Sequence, residues 1–544
     1  MSGEAPRRDT KWWGWGAADR RVELSPGAAG LLDELTGGAR HTPAPDLEEI
    51  QLPPAEPLPA AVSEAAGDGS VFTEPEDRIR HSTGQSYADL VRRRSGRLEE
   101  APDAVVAPSD ADAVRRVLEA CAGNGVAVVP YGGGTSVVGG IDPVRGAFGS
   151  LVSLDLTRLR HVSVDRRSMT ARLGPGLRGP EAERLLGEEG MTLGHFPQSF
   201  EYATIGGFAA TRSAGQASSG YGRFDDVVTA VRMQSPGGEI GTLETPHTAA
   251  GPALRELVLG SEGILGVITD VTVRVRPAPA RRLYEAWMAP GFMEGTEIVR
   301  ALAQDEALPD LIRVSDETET RVNLALAGIG GLAKRALERY LALRRRLNGA
   351  LLIVGYEGEG ESISRRRSIA SRALRAGGAV PLGKAPGRAW EHGRYSGPYL
   401  RDELLDRGVF VETLETSHTW SRYEELYRAV GDAISGALEA GGTPGLVMCH
   451  LSHAYPDGAS LYYTFMAPQR EGRELEQWAE TKRAACEAIV SHGGTVTHHH
   501  AVGRDHAPYM PMEVGELGLE ALRAVKERLD PAGIMNPGKL LPGA

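Results

Sequence analysis

From Ala101 onward the hydrophobic positions alternate between two spacings. Short β-branched runs predict strands over 102–106, 126–129 and 151–156, with further short strands across 162–173. Apolar residues three and four apart predict a helix over 111–124, capped by Ser109. A second helix is predicted over 180–189, with Pro180 in its first turn. The 126–129 strand stops at Pro130, which brings no N–H to a ladder. After Arg276 and Pro277, strands are predicted at 283–288, 311–314, 351–356, 446–450 and 460–466. Helices are predicted at 294–304, 317–326, 332–347, 362–375, 422–440, 475–491 and 519–529, the last stopped by Asp530 and Pro531. This alternation, with connections of antiparallel length, predicts an α+β second half.

The first hundred residues follow another pattern. Trp12, Trp13 and Trp15 are expected to pack onto the body of the protein, with a membrane-interface role as the alternative. Residues 41–67, rich in Pro, Ala and Glu, read as a linker along a surface, and 77–97 resumes order with His81 and several arginines. The chain is thus expected to divide into 1–100, 101–278, 279–510, and 511–544 as a closing helix and tail.

The run Pro130, Tyr131, Gly132, Gly133, Gly134, Thr135, Ser136 interrupts the strand pattern with a loop able to present bare N–H groups to an anion. A Rossmann loop would lead into a helix, yet Gly139, Gly140, Pro143, Gly146 and Gly149 follow, although Asp155 stands where a ribose-binding acid would. A Walker loop would need Lys before Ser136. Alone, the run reads equally as a surface turn or a phosphate site. Similar polar, glycine-rich segments recur at 194–207, 210–227 and 259–268 between strands, so they read as ordered loops suited to a long, polyphosphate-bearing cofactor.

Composition narrows the field. The 544 residues carry a net charge of −12, which argues against nucleic acid as a general partner and leaves room for a local basic pocket. Cys121, Cys449 and Cys486 are too scattered for a disulfide framework or thiolate metal site, which suits a reducing cytoplasm. No apolar run is of membrane-spanning length, Met1 to Arg8 are too polar for a signal peptide, and the C-terminus carries no peroxisomal or lipid-anchor motif. The expected location is cytoplasmic, with peripheral membrane association as an addition.

The conspicuous candidates for chemistry are His498, His499 and His500. In an extended segment His498 and His500 would share one face and His499 the other, a poor closed metal site. Chance surface placement, acid–base work and metal binding stay open on composition, and no metal is expected.

Taken in order, PYGGGTS, QSFEYATIGG, TRSAG with YGRFDD, and GSEGILGVITD resemble the FAD-binding domain of the vanillyl-alcohol oxidase and p-cresol methylhydroxylase superfamily. The resemblance implies an α+β fold: a two-part FAD-binding domain of that type plus a substrate (cap) domain with an antiparallel sheet. It implies that Pro130, Tyr131, Gly132, Gly133, Gly134, Thr135 and Ser136 hold the FAD pyrophosphate. Gln198, Ser199, Thr204, Thr211, Arg212, Ser213, Ala214, Glu262, Gly263, Gly266, Val267 and Ile268 would line the rest. Many members attach FAD through a His in the glycine loop. Thr135 stands in that place, so non-covalent FAD is expected.

A narrower resemblance spans nearly the whole chain. KWWGWG, GHFPQS, ETLETSHTW, the stretch from Tyr455 to Tyr463, and HHHAVG look like the alkyldihydroxyacetonephosphate synthases. This implies that His498, His499 and His500 form a cluster beside the flavin, with Tyr462 as the active-site tyrosine. Arg313 and Arg401 match two active-site arginines, Arg401 binding the substrate phosphate. Taken singly, the arginines could equally make structural ion pairs and Tyr462 could be a core residue. The implied reaction replaces the acyl group of acyl-dihydroxyacetone phosphate by a fatty alcohol through a flavin N5 adduct, without net oxidation, in ether lipid synthesis. The expected partners are a lipid-like phosphate substrate, a membrane surface and a second copy of the chain in a homodimer. The tail from Ile534 to Leu541 looks more like the D-lactate and glycolate dehydrogenases, so an FAD-linked 2-hydroxyacid oxidoreductase is the alternative. A flavin-binding protein without turnover is a third reading, against which the histidines argue.

Overall fold

The computed structural model describes residues 7–37, 40–327 and 330–543, so the polar residues 1–6 and Ala544 lie outside it. The described residues build four sheets. In the first, strands Ala104–Val106 and Val126–Tyr131 flank Ser150–Asp155 in parallel, and Val71–Phe72 pairs antiparallel at one edge. The second has five antiparallel strands, with Val267–Arg274 between Thr170–Leu173 and Val228–Ser235. A two-stranded ribbon joins Met191–Thr192 to Arg276–Pro277. The fourth is a seven-stranded antiparallel sheet with Arg281–Ala289, Ala350–Gly358, Leu311–Ser315, Leu446–Leu451, Gly458–Pro468 and Val409–Thr419 side by side in that order. Val380–Gly383 closes its other edge.

The helices bury one stripe each. Trp420–Ala440 sends Leu426, Val430, Ile434 and Leu438, spaced by four, into the core of the seven-stranded sheet. Ala485 and Ile489 of Glu474–Ser491 join them. Cys121, Cys449 and Cys486 are buried free thiols. Among the described residues no helix is long and apolar enough to cross a membrane.

Several expectations need correction. The strand expected to end at Pro130 runs on from Val126 to Tyr131. On its outer edge the chain's tail bonds Val128, whose N–H donates to Ile534 and whose carbonyl accepts from Asn536, each at 2.8 Å. Pro130, two residues on, turns its missing N–H to that same edge, beyond these bonds, so it costs no ladder bond. The helix Ala111–Asn124 is capped by Asp110, whose Oδ1 accepts from the Ala113 N–H at 2.8 Å; Ser109 only donates to Asp110. The 41–67 segment contains the helix Ala60–Ala66, which packs Val62 against Val114 and Val117. Residues 205–210, 218–221 and 224–227, read as loop, are single helical turns or little more. The last helix begins at Met510 and breaks at Gly515 (φ 71°), which hid its first half from a periodicity reading.

Candidate active site

The glycine loop is pressed against the 199–204 turn. A Cβ on Gly132 would stand 2.4 Å from Thr204 Oγ1, and one on Gly133 only 2.1 Å from the Tyr202 carbonyl oxygen. Among the described residues, the amides of Gly132, Gly133, Gly134, Thr135 and Ser136 donate to no protein acceptor. Partly buried amides in such a nest are a ready seat for a diphosphate. Gly133→Ala is expected to push the loop off Tyr202 and lower the FAD content of purified protein about tenfold or more, the cost of overpacking one methyl. The ratio of flavin to protein absorbance checks it.

The other predicted cofactor residues fall into two groups. Gln198 Oε1 accepts from Gln216 at 3.3 Å while its Nε2 stays buried without a partner among the described residues. The Ser199 carbonyl accepts from Tyr202 and Ala203, and Thr204 caps Ile205–Ala210. Thr211 ends that helix; Arg212, left-handed at φ 49°, reaches the carbonyls of Leu259 and Glu256. Ser213 Oγ meets His195 Nε2 at 3.1 Å, with Ala214 buried next to it. Glu262, also left-handed, spends its carboxylate on the N–H groups of Val502 and Gly503, at 2.8 and 2.7 Å. Gly263 and Gly266 have positive φ where a Cβ would strike Pro130 and the Gln234 carbonyl. Val267 and Ile268 bury their side chains in two apolar cores, so they frame the loop and do not line it.

The candidate catalytic residues are built on one row of the seven-stranded sheet. Backbone pairing sets Ser315 opposite His450, His450 opposite Tyr462, and Tyr462 opposite Glu415 across four neighbouring strands. Paired residues share a face, and Arg313, two residues before Ser315, points the same way. Tyr462 stacks on His450, centroids 4.7 Å apart. Arg313 Nη2 lies 2.7 Å from Glu319 Oε1 and 3.0 Å from His450 Nδ1. Burial by itself would raise Glu319, but the charges of Arg313 and His450 hold it far below the usual carboxylate range.

The histidine run is not extended. It bends around Glu415, whose carboxylate accepts the N–H groups of His498, His499 and His500 at 2.6, 3.0 and 2.8 Å and the Thr497 hydroxyl at 2.7 Å. The imidazoles therefore gather instead of alternating. His498 Nδ1 and His499 Nδ1 are 3.0 Å apart, and His498 Nε2 meets the Tyr455 hydroxyl at 2.8 Å. His499 lies nearly parallel to Tyr462 at 6.0 Å and His500 meets it edge-on at 5.4 Å. Burial holds His498 and His453 well below the ordinary histidine value, with the neighbouring His499 second, and holds His500 at about 3. These imidazoles are neutral at pH 7. Burial raises the Tyr462 phenol to about 12, so it stays protonated.

His453, His498 and His499 bring ring nitrogens within 4.8 Å of one another. His450, His453, Glu415, Glu319, Tyr455 and Arg223 were missed by sequence reasoning. Arg223 ties the two halves of the site, donating to the carbonyls of His498 and Arg212, each at 3.0 Å. Thr211, Arg212 and Glu262 of the glycine-rich segments face His498, His499 and Thr497 across one cavity of about 300 Å³. Arg401, on the helix Gly397–Leu405, lies apart from that cavity's wall. Its guanidinium donates to the Gln85 carbonyl, and its Nε is buried without a partner among the described residues.

Residues 102–244 match the FAD binding domain family and 278–540 the family of FAD linked oxidases, C-terminal domain. The chain is 33% identical to the alkyldihydroxyacetonephosphate synthase of Dictyostelium discoideum, over 92% of this chain and 84% of that protein. A solved alkyldihydroxyacetonephosphate synthase superposes with a TM-score of 0.85 at 30% identity, covering 97% of this chain and 98% of the other. p-Cresol methylhydroxylase shares the fold, with a TM-score of 0.64 at 14% identity over 89% of this chain and 96% of that one. The unpaired amides of the glycine loop and the donor-rich surroundings fit the diphosphate of FAD. The chain belongs to the alkyldihydroxyacetonephosphate synthase family and takes FAD as its cofactor.

Proposed function

We propose that this chain exchanges the acyl group of acyl-dihydroxyacetone phosphate for a fatty alcohol, releasing a fatty acid. The observation that carries the reading is the shared cavity, where the FAD-binding loops face neutral imidazoles held by a buried carboxylate. When bound, FAD supplies a ring that accepts and returns an electron pair within one turnover, so no external acceptor is consumed. The cluster of His498, His499 and His500 is the proposed base for the proton beside the substrate carbonyl, with His498 held in place by Tyr455 at its Nε2 and by His499 at its Nδ1. Tyr462, stacked between His450 and His499, is the proposed acid that keeps that proton available for return. Arg313 fixes His450 and so the tyrosine. The test is turnover in an anaerobic mixture of acyl-dihydroxyacetone phosphate and hexadecanol. Fatty acid release without flavin bleaching supports exchange, and bleaching by a 2-hydroxyacid with no release supports dehydrogenation.

Arg401 is the proposed phosphate ligand, supported by its buried, incompletely paired guanidinium. Arg401→Ala should raise the KM for the phosphate substrate about tenfold or more, the worth of one charged hydrogen bond, and leave FAD content unchanged. Loss of flavin together with fold would assign Arg401 to structure instead. FAD is proposed to be non-covalent, because Thr135 has no nucleophilic ring nitrogen. Acid precipitation should leave the yellow colour in the supernatant. Peripheral contact with lipid is supported by the helix Gly331–Leu343, where Leu332 and Leu343 are 82% and 77% exposed beside Lys334, Arg335 and Arg339.

A further inference from the structure

The N-terminal tryptophans do more than cover the body. Thr10, Lys11, Trp12, Trp15 and Gly16 form one wall of a narrow cavity whose opposite wall is Tyr131 and Gly133 to Thr135. Among the described residues, three buried polar atoms on residues of this cavity have no partner: Trp15 Nε1, Thr83 Oγ1 and Arg93 Nε. The side chains of Trp15, Thr83 and Arg93 are 4%, 5% and 2% exposed. All three atoms can donate, and they surround the glycine loop, whose five amides also lack acceptors. Buried donors without acceptors are costly, and an anion with several oxygens satisfies them together.

The strap is fastened by polar contacts of its own. Lys11 Nζ pairs with Asp402 Oδ2 at 3.0 Å with both side chains buried, and the same oxygen accepts the Trp15 N–H at 2.9 Å. The Lys11 N–H closes a turn on the Gly16 carbonyl at 2.6 Å. A Cβ on Gly14 would stand 2.5 Å from Asp402, which is why the turn needs glycine there. Arg93 donates to the Trp12 carbonyl at 2.9 Å and to the Gly84 carbonyl at 2.6 Å, tying the strap to the chain that bonds Ser136. The space enclosed is about 30 Å³, so the strap must shift outward to admit a diphosphate.

We propose that residues 10–16 are a cofactor clamp, closing over the diphosphate of FAD from the side opposite the glycine loop, with the Trp15 indole N–H as one of its ligands. The inference rests on FAD as the cofactor and adds a second wall to its site. Through Asp402 the clamp is joined to the helix that carries Arg401.

Trp15→Phe keeps the edge-on contact with Tyr202, 5.5 Å between centroids, and removes only the donor. The apoprotein is titrated with FAD and, separately, with ADP, which has the diphosphate and no flavin ring. Trp15→Phe should weaken both by about 10- to 100-fold, as for one hydrogen bond to a charged group. Thr83→Val, on the other wall, should do the same. Wild-type affinity for both ligands in Trp15→Phe would overturn the clamp, and so would weakened FAD with unchanged ADP, which puts the strap at the ring end. A wild-type protein that binds neither ligand would instead overturn FAD as the cofactor.

Discussion

Glu415→Ala should lower turnover by about 100-fold or more, the scale of a misplaced reacting group. Among the described residues its carboxylate is the only partner for the N–H of His498 and His499, and shares that of His500 with the Thr497 hydroxyl. Alanine leaves buried amides unpaired, and losing such a charged centre costs about 3–5 kcal/mol. Glu415→Gln keeps the shape and one acceptor oxygen, so it should fall between. Burial would raise Glu415, but His499, followed by His500 and His498, holds it well below the usual carboxylate range. Its stabilisation is therefore present above the unfolded value of 4.5 and lost as pH falls further. His500 works in the same direction: at about 3 folded against 6.5 unfolded, its protonation favours the unfolded loop as pH drops from 6.5. Hydrogen exchange at the 498–500 amides, corrected for intrinsic rates, should show protection falling across that range. Unchanged melting temperature and turnover in Glu415→Ala would sink the assignment.

Tyr462→Phe should slow turnover by about 10²–10⁴-fold, the range for lost acid–base catalysis, with the oxidised flavin spectrum intact. The ring keeps its stacking on His450 and His499, so the fold should be undisturbed. The missing hydroxyl is the one whose proton burial retains up to about pH 12. A variant with wild-type kcat would make Tyr462 a packing residue, and one without flavin would make it part of the cofactor frame.

The strands around the glycine loop were legible because β-branched runs between turn signals are their own evidence. Pro130 was read as a stop because the tail that fills the strand's edge comes from Ile534 to Asn536, some 400 residues later. Tyr462 and the histidines came from motif resemblance, not from spacing. Their arrangement did not follow from either: a bend around Glu415 requires knowing that its strand lies beside that of Tyr462. Glu415 did leave a trace: with Glu412 it is one of two acids in the strand Val409–Thr419, which is buried from Val409 to Thr416 apart from the half-buried Thr413. His450 and His453 left none, since a histidine at a strand end reads as an ordinary core residue. The stretch 380–408 was unread because its two helices are short and polar, although it carries Arg401.

The central claim, alkyl exchange at the carbon that bore the acyl group, is tested most directly with hexadecanol carrying ¹⁸O in its hydroxyl. The account predicts that the ether product retains the label, that the released fatty acid contains none, and that turnover continues without an electron acceptor. Label in the fatty acid, or no ether product together with flavin reduction by a 2-hydroxyacid, would contradict it.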